Sequence, residues 1–247
     1  MRNLSISVDW KGQTLKALLD QSYCLAIPLD HTHPQPNAYG APLFEAEPHK
    51  VGQWIGDTRT GASVNFYDIR INPHGNGTHT ECVGHISKER YSVHESLGTG
   101  FFLAQLISVY PTQNENGDRI IDQLEWEDDI EALILRTLPN FPDKMVRHYT
   151  GTNPPYLHPD LADRMMKRNI QHLLLDLPSV DREEDGGALL AHKTFWQYPE
   201  FPRLEATITE MIYVDNIIAD GLYLLEIQMP AIELDASPSR PYIYPLK

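Results

Sequence analysis

The residues best equipped for chemistry lie in one short stretch, His74-Gly75-Asn76-Gly77-Thr78-His79-Thr80-Glu81-Cys82-Val83-Gly84-His85, where three imidazoles and a carboxylate fall within twelve residues. Imidazole nitrogen and carboxylate oxygen are natural donors for zinc, manganese or iron. On an extended backbone side chains repeat every second residue, so His79, Glu81 and His85 share one face. In a helix Glu81 and His85 would still share a face, with His79 pointing away from Glu81. Either conformation brings at least two donors together. Gly75 and Gly77 allow positive φ or a close approach of backbone to a metal or substrate. The competing reading is a glycine-rich surface turn whose histidines are solvated. A metal held here would lower the pKa of water from roughly 15.7 toward about 7 and polarise a carbonyl under attack. A histidine titrating near neutrality suits the proton delivery that follows, and His85 is the candidate.

Other reactive residues carry less. Asp176, Ser179 and Asp181 resemble parts of a hydrolase triad, but the nucleophile elbow Gly-x-Ser-x-Gly is missing, so they read as a strand-to-loop corner that shapes the site. Cys82 lacks an obvious base to activate it. His31, His33 and His49 read as polar loop residues, and His94, His148, His158 and His172 as structural. Trp54 and Tyr67 are expected in core packing rather than stacked on a substrate.

The elements that must position these residues are mostly strands. Leu4, Ile6 and Val8 alternate with polar residues, Lys11-Gly12 breaks the run, and Leu15, Ala17 and Leu18 follow, which predicts a hairpin. Residues 28–61, rich in Pro, Gly, His and Asn, predict a long irregular and functional loop. Phe101 to Tyr110, Ile130 to Leu135, Leu173 to Leu175 and Gly221 to Met229 predict strands. A helix capped by Asp160 is expected between Pro159 and Ile170. Ala206 to Ile218 fits strand and loop or a short helix. The expectation is one α/β domain over residues 1–247, strand-rich with a few helices, with an N-terminal hairpin extension over 1–21 and a Pro-rich C-terminal tail over 230–247.

Composition narrows the partners. With 20 Lys and Arg against 34 Asp and Glu, the formal charge of −14 sets up a surface that repels phosphate backbones, so no nucleic acid is expected. Nor is a membrane, since no run approaches the roughly 20 apolar residues a span needs. Met1 to Val8 shows no secretory signal pattern, and two cysteines, Cys24 and Cys82, make no disulfide framework, so a cytoplasmic location is expected.

The stretch Gly77-Thr78-His79-x-Glu81-x-x-x-His85 resembles the signature His-x-Gly-Thr-His-x-Asp-x-Pro-x-His of the cyclase family, metal-dependent hydrolases that include kynurenine formamidases and isatin hydrolases. Leu175-Asp176-Leu177-Pro178-Ser179-Val180-Asp181 with Ala191-His192 downstream, and then Thr209-Glu210-Met211-Ile212, are similar to further family segments in the right order. The resemblance covers roughly residues 22–230. It implies a swivelling β/β/α fold, a divalent metal, zinc or manganese, as one or two ions, and hydrolysis of a small amide, N-formyl or cyclic, as in the arylformamidases of tryptophan catabolism. It also implies a homodimer or homotetramer. His79, Glu81, His192 and Glu210 become metal ligands, His74 a fifth, and His85 the acid/base, with Glu210 either a ligand or its orienting partner in catalysis. Three positions depart from the pattern. The family's first histidine would fall at Gly75, with His74 one place earlier; Glu81 stands for an aspartate; Val83 stands for proline. A non-catalytic metal- or ligand-binding module on the same scaffold, or a dehydratase or cyclase acting on a polyketide-like acid, are the alternatives.

Overall fold

The computed structural model describes residues 4–98 and 100–247; residues 1–3 of the expected hairpin extension lie outside the described residues. Among the described residues the chain forms a strand-rich α/β domain around a curled, mixed nine-stranded sheet. An N-terminal hairpin of β1 (Ser5–Trp10) and β2 (Gln13–Leu18) turns at Lys11-Gly12, both at positive φ. The sheet strands in chain order are β3 (Tyr23–Cys24), β4 (His79–Glu81), β5 (Phe101–Val109), β6 (Ala132–Thr137), β7 (His172–Leu175), β8 (Thr207–Glu210), β9 (Gly221–Gln228), β10 (Ala236–Pro238) and β11 (Arg240–Pro245). Their spatial order is β10-β4-β8-β7-β6-β5-β9-β11-β3.

The middle of the sheet is parallel: β5, β6, β7 and β8 run in one direction. Parallel strands covered on both faces read as continuous apolar runs rather than alternations, and every residue of β6 and β7 is buried. After the single-turn helix α1 (Val93–Ser96) come α2 (Pro159–Lys167) and α3 (Leu190–Trp196), and one sheet face gathers Leu133, Leu135, Leu173 and Leu175 against these two through Leu161, Met165, Phe195 and Trp196. The other gathers Ala132, Ile134 and Leu174 with Leu25, Leu106, Ile212, Leu225 and Ile243. Antiparallel strands extend both flanks, β9, β11 and β3 on one side, β4 and β10 on the other.

Several expected boundaries move. The strand expected over 130–135 runs over Ala132–Thr137. Helix α2 is capped by His158, whose Nδ1 accepts from Asp160 N; Pro159 occupies the first helical position, where its missing N–H costs nothing, so Asp160 falls inside the first turn. The undecided segment 206–218 contains β8 and then loop. The Pro-rich segment expected as a tail is sheet. Pro238 sits on the edge strand β10, where a ladder donor is dispensable, and β11 packs Ile243 into the core. The hairpin is tied to that same segment by Lys16 N to Lys247 O, 2.8 Å. Within the loop excursion, Glu45–Pro48 pairs with Tyr67–Arg70 as a small ribbon, and Trp54 is partly exposed beside Phe66 rather than in the core.

At the end of β7, Asp176 is buried with Lys144, whose Nζ donates to Asp176 Oδ2 at 2.6 Å and to Thr137 O at 2.6 Å; Asp176 also accepts from Thr137 N and Oγ1. Burial pushes the Asp176 carboxyl up and the Lys144 ammonium down, each opposed by the other's charge. This carboxylate locks the ends of β6 and β7 together and takes no part in a triad. No helix among the described residues is long and apolar enough to cross a membrane. Removing one partner of such a pair leaves a buried polar group uncompensated, so Lys144→Ala is expected to lower stability by about 3–5 kcal/mol in urea denaturation; a loss under about 1 kcal/mol would contradict this account of the pair.

Candidate metal centre

The centre is built where β4 meets β8. Their antiparallel register sets His79 opposite Glu210 and Thr80 opposite Thr209, and the period of two puts His79 and Glu81 on one face. Thr80 Oγ1 and Thr209 Oγ1 bond at 2.8 Å on the other face. Thr78 fixes the entry to β4, donating to Met211 O at 2.6 Å and accepting from Ile27 N at 2.9 Å. Gly77 adopts φ 81° just before it. After Glu81 the chain does not stay extended: Cys82 caps a 3-10 turn over Val83–His85, and this turn, not a strand face, swings His85 back toward Glu81.

The donors come together as two overlapping groups. His79, Glu81 and Glu210 form one and His74, Glu81 and His85 the other, with one ligand atom from each residue lying within 4.8 Å of the others in its group. His79 Nδ1 donates to Gly77 O at 3.0 Å, which turns Nε2 toward Glu210 Oε2, 3.4 Å away. His192, on the first turn of α3, brings Nε2 to 3.1 Å from Glu81 Oε1 and 3.9 Å from Glu210 Oε1. Its Nδ1 donates to Asp181 Oδ2 at 2.6 Å, and the same carboxylate accepts from Ala191 N and His192 N, so one side chain caps the helix and orients the ring. Glu210 Oε1 accepts from Val180 N at 3.1 Å. His74 and His85 stack with ring centroids 4.2 Å apart, and His74 Nδ1 lies 3.1 Å from Glu81 Oε2.

Electrostatics reflect this crowding. Glu81 is fully buried, which alone would favour its neutral form, yet the imidazoles of His85, His192 and His74 hold its carboxyl well below the usual range. Glu210 moves the other way, raised by burial and by the charge of Glu81. Burial opposes charge on His74 and His192, but the carboxylates around them push both up to about 10. Despite this density, His79 Nε2 and Glu81 Oε2 are buried without a hydrogen-bond partner among the described residues. Buried polar atoms are almost always satisfied. Two orphaned buried atoms on residues whose ligand atoms gather within 4.8 Å, with further nitrogen and oxygen around them, fit a divalent cation.

The centre opens on a cavity of about 380 Å³ whose wall includes Tyr39, His74, His85, Ser179, His192 and Glu210. His74 and His85 keep about a quarter to a third of their side chains exposed there, whereas His79 and Glu81 lie beneath. All the expected site residues therefore converge. Among the histidines set aside, His33 bonds Asp30, His49 bonds Asp68, and buried His172 bonds Thr207 Oγ1 with its pKa pushed down to about 4 by burial. Two participants escape sequence reasoning. Tyr39, at φ 57° with its hydroxyl on Pro178 O, lines the cavity from a loop without periodicity. Asp235 enters from the segment expected as a tail, its Oδ2 2.9 Å from His74 Nε2 and 3.5 Å from His85 Nδ1.

The displaced His74 has a steric cause. A Cβ at position 75 would stand 2.3 Å from Ala41 Cβ and 3.2 Å from Ala38 O, so a side chain is excluded where the family places its histidine, and position 74 supplies the ring instead.

A family model described as "Putative cyclase" matches residues 19–182. The kynurenine formamidase of Bacillus cytotoxicus is 26% identical over 219 residues, covering 80% of this chain and 93% of that protein. That of Bacillus cereus is 25% identical over 213 residues, covering 79% and 92%. Among solved structures, an isatin hydrolase bound to the product analogue thioisatinate superposes with a TM-score of 0.63 at 13% identity, covering 92% of this chain and 94% of that one, a likeness of fold.

The contact at position 75 yields a two-step check. Gly75→Ala is expected to cost about 1–3 kcal/mol in urea unfolding through overpacking, and adding Ala41→Gly should recover most of it. Equal destabilisation in the single and double variants would contradict the proposed clash.

Proposed function

The chain belongs to the cyclase family, and from that premise we propose that it is a metal-dependent hydrolase that adds water across the carbon–nitrogen bond of a small amide, an N-formyl arylamine or a cyclic amide. The observation that carries this reading is the pair of orphaned buried acceptors, His79 Nε2 and Glu81 Oε2, beneath a cavity of about 380 Å³. A cavity of that size suits one small ring system. The curated relatives at 24–26% identity are kynurenine formamidases, which supports the amide as the bond attacked.

In this proposal His79, Glu81 and Glu210 hold the cation, with His192 and His74 as further ligands. A divalent ion, zinc or manganese, would supply Lewis acidity toward the carbonyl and a lowered pKa for water. The protein's own groups handle the proton. His85 stands on the cavity wall with its ring partly exposed, placed to accept a proton from the attacking water and return it to the departing nitrogen. Glu210 is 3% exposed and faces His79, so we assign it to the ion in preference to proton transfer. Asp181 keeps His192 in the tautomer that turns Nε2 inward. Product formation is then a carboxylate and an amine. The solvated cavity wall favours an enzyme over a closed, purely structural metal site, which would leave no open position.

Metal content is measured first on protein purified without added metal, together with hydrolysis of N-formylkynurenine and isatin before and after chelation. We expect bound metal and chelator-sensitive turnover. His79→Ala and Glu210→Ala should each lose metal, and wild-type stoichiometry in both would overturn the ligand assignment. His85→Gln should keep its metal and lose about 10²–10⁴-fold in kcat; undiminished kcat would remove His85 from proton transfer. We further propose a cytoplasmic location and a homodimer or homotetramer, the assembly because residues 45–70 expose Val51, Phe66 and Ile69; a monomer in sedimentation equilibrium would count against the assembly.

A further inference from the structure

His74 is the one donor of the centre that no strand or helix supports. It stands on the loop between Asn72 and Asn76, held by Gly75 N and Asn76 N donating to Asn72 O and by Asn72 N donating to Asn76 Oδ1. Its ring reaches the centre from a position one residue earlier than the family pattern provides, because Gly75 is pressed against Ala41. A loop histidine placed by backbone alone would retain its choice of rotamer and of tautomer. Here both ring nitrogens face carboxylates: Nε2 bonds Asp235 Oδ2 at 2.9 Å, and Nδ1 lies 3.1 Å from Glu81 Oε2 without a hydrogen bond.

We propose that Asp235 is a positioning residue of the metal centre, which accepts Nε2–H of His74 and so turns Nδ1 toward Glu81, where it would give its lone pair to a bound ion, making a ligand of a histidine displaced by one residue. The proposal rests on the metal reading above and extends it to a part of the chain beyond the family match at residues 19–182. Asp235 is rigidly carried. Its carbonyl accepts from Cys82 N at 3.0 Å, directly after β4, and Ala236 pairs with Glu81 at the start of β10. The strand that carries Glu81 therefore also fixes the group that orients His74. Asp235 Oδ2 also lies 3.5 Å from His85 Nδ1, so the two stacked rings face one carboxylate.

The arrangement repeats, from an unrelated segment, what Asp181 does for His192: a carboxylate on the far ring nitrogen, the near nitrogen facing Glu81. Such partners fix tautomer and orientation of a ligating imidazole, and their loss costs about 10–100-fold in metal affinity or activity. Loop 72–76 and β10 lie far apart in sequence, so the pairing is absent from any local motif.

The test compares wild type, Asp235→Asn and Ser237→Ala, the last a buried β10 residue that touches no donor of the centre. Zinc affinity is read by calorimetry, thermal unfolding is followed without metal, and the His74 ring is followed in the zinc-loaded protein by imidazole 15N NMR, assigned by its absence in His74→Gln. Expected are a wild-type His74 protonated at Nε2, loss of that preference in Asp235→Asn, zinc binding about 10–100-fold weaker, and unfolding like wild type. Ser237→Ala should match wild type in all three. Unchanged zinc affinity or an unchanged His74 tautomer in Asp235→Asn overturns the proposal, as does equal weakening in Ser237→Ala. If the wild type binds zinc but hydrolyses no amide, the proposed reaction fails while the role of Asp235 is still decided by affinity and tautomer. A wild type that binds no metal overturns both.

Discussion

The pairing of three residues, His79, Thr80 and Glu81, against the end of β8 is the constraint on which the site depends. Side chains alternate with a period of two, so a slip of one residue would carry His79 and Glu81 to the opposite face and bring Thr80 into the centre. Register is fixed from both sides of this short strand. Thr78 and Thr80 bond to the β8 side, β10 pairs along the other edge, and Ser239 N donates to Thr78 O. A three-residue strand buried between two others needs no intrinsic propensity, because its neighbours supply the ladder.

The second constraint is the coexistence of buried charges. Glu81 and Glu210 are both buried close together, and the opposite shifts of their carboxyl groups follow from burial, from the charge of Glu81 beside Glu210 and from the imidazoles around them. Four imidazoles surround them, and Asp181 and Asp235 hold two of these rings from behind. Folding can tolerate this cluster because His74 and His192 each give a ring N–H to a carboxylate and His79 gives its own to the Gly77 carbonyl. What it leaves unsatisfied is concentrated at one point, at His79 Nε2 and Glu81 Oε2.

How much of this could be read in the sequence depends on whether the relevant spacing was local. The period of two joining His79 to Glu81 was visible, because strand geometry converts it directly into a shared face. His85 was visible as a residue but not as a conformation: the 3-10 turn capped by Cys82, and not an extended strand, returns it to the centre. His192 and Glu210 were reached only through resemblance to a family, since no periodicity connects residue 81 with residue 210. Asp235 was hidden because proline-rich composition signals an irregular tail, whereas Pro238 occupies an edge where the sheet does not require its N–H. The parallel core was legible from its apolar runs, while the boundary at Asp160 failed because Pro159 moves the cap two residues back to His158.

The donor set also restricts which ion could serve. Cys82 adjoins Glu81 in sequence and would be the softest donor present, but its sulfur accepts from Gly84 N as the cap of the turn, and burial pushes its thiol up. A protonated sulfur engaged in capping is no ligand, because metals take the thiolate. What remains is imidazole nitrogen and carboxylate oxygen, a borderline set that matches zinc and manganese and disfavours cuprous ion, which selects thiolates and thioethers. The same local feature, a cysteine at residue 82 followed by a glycine at residue 84, therefore shapes the turn that presents His85 and removes sulfur from the centre. A Cβ at Gly84 would stand 2.4 Å from Tyr91 O, so the turn has little freedom to vary. Geometry that exists to return a histidine to the cavity thus also keeps the chemistry of the centre to nitrogen and oxygen.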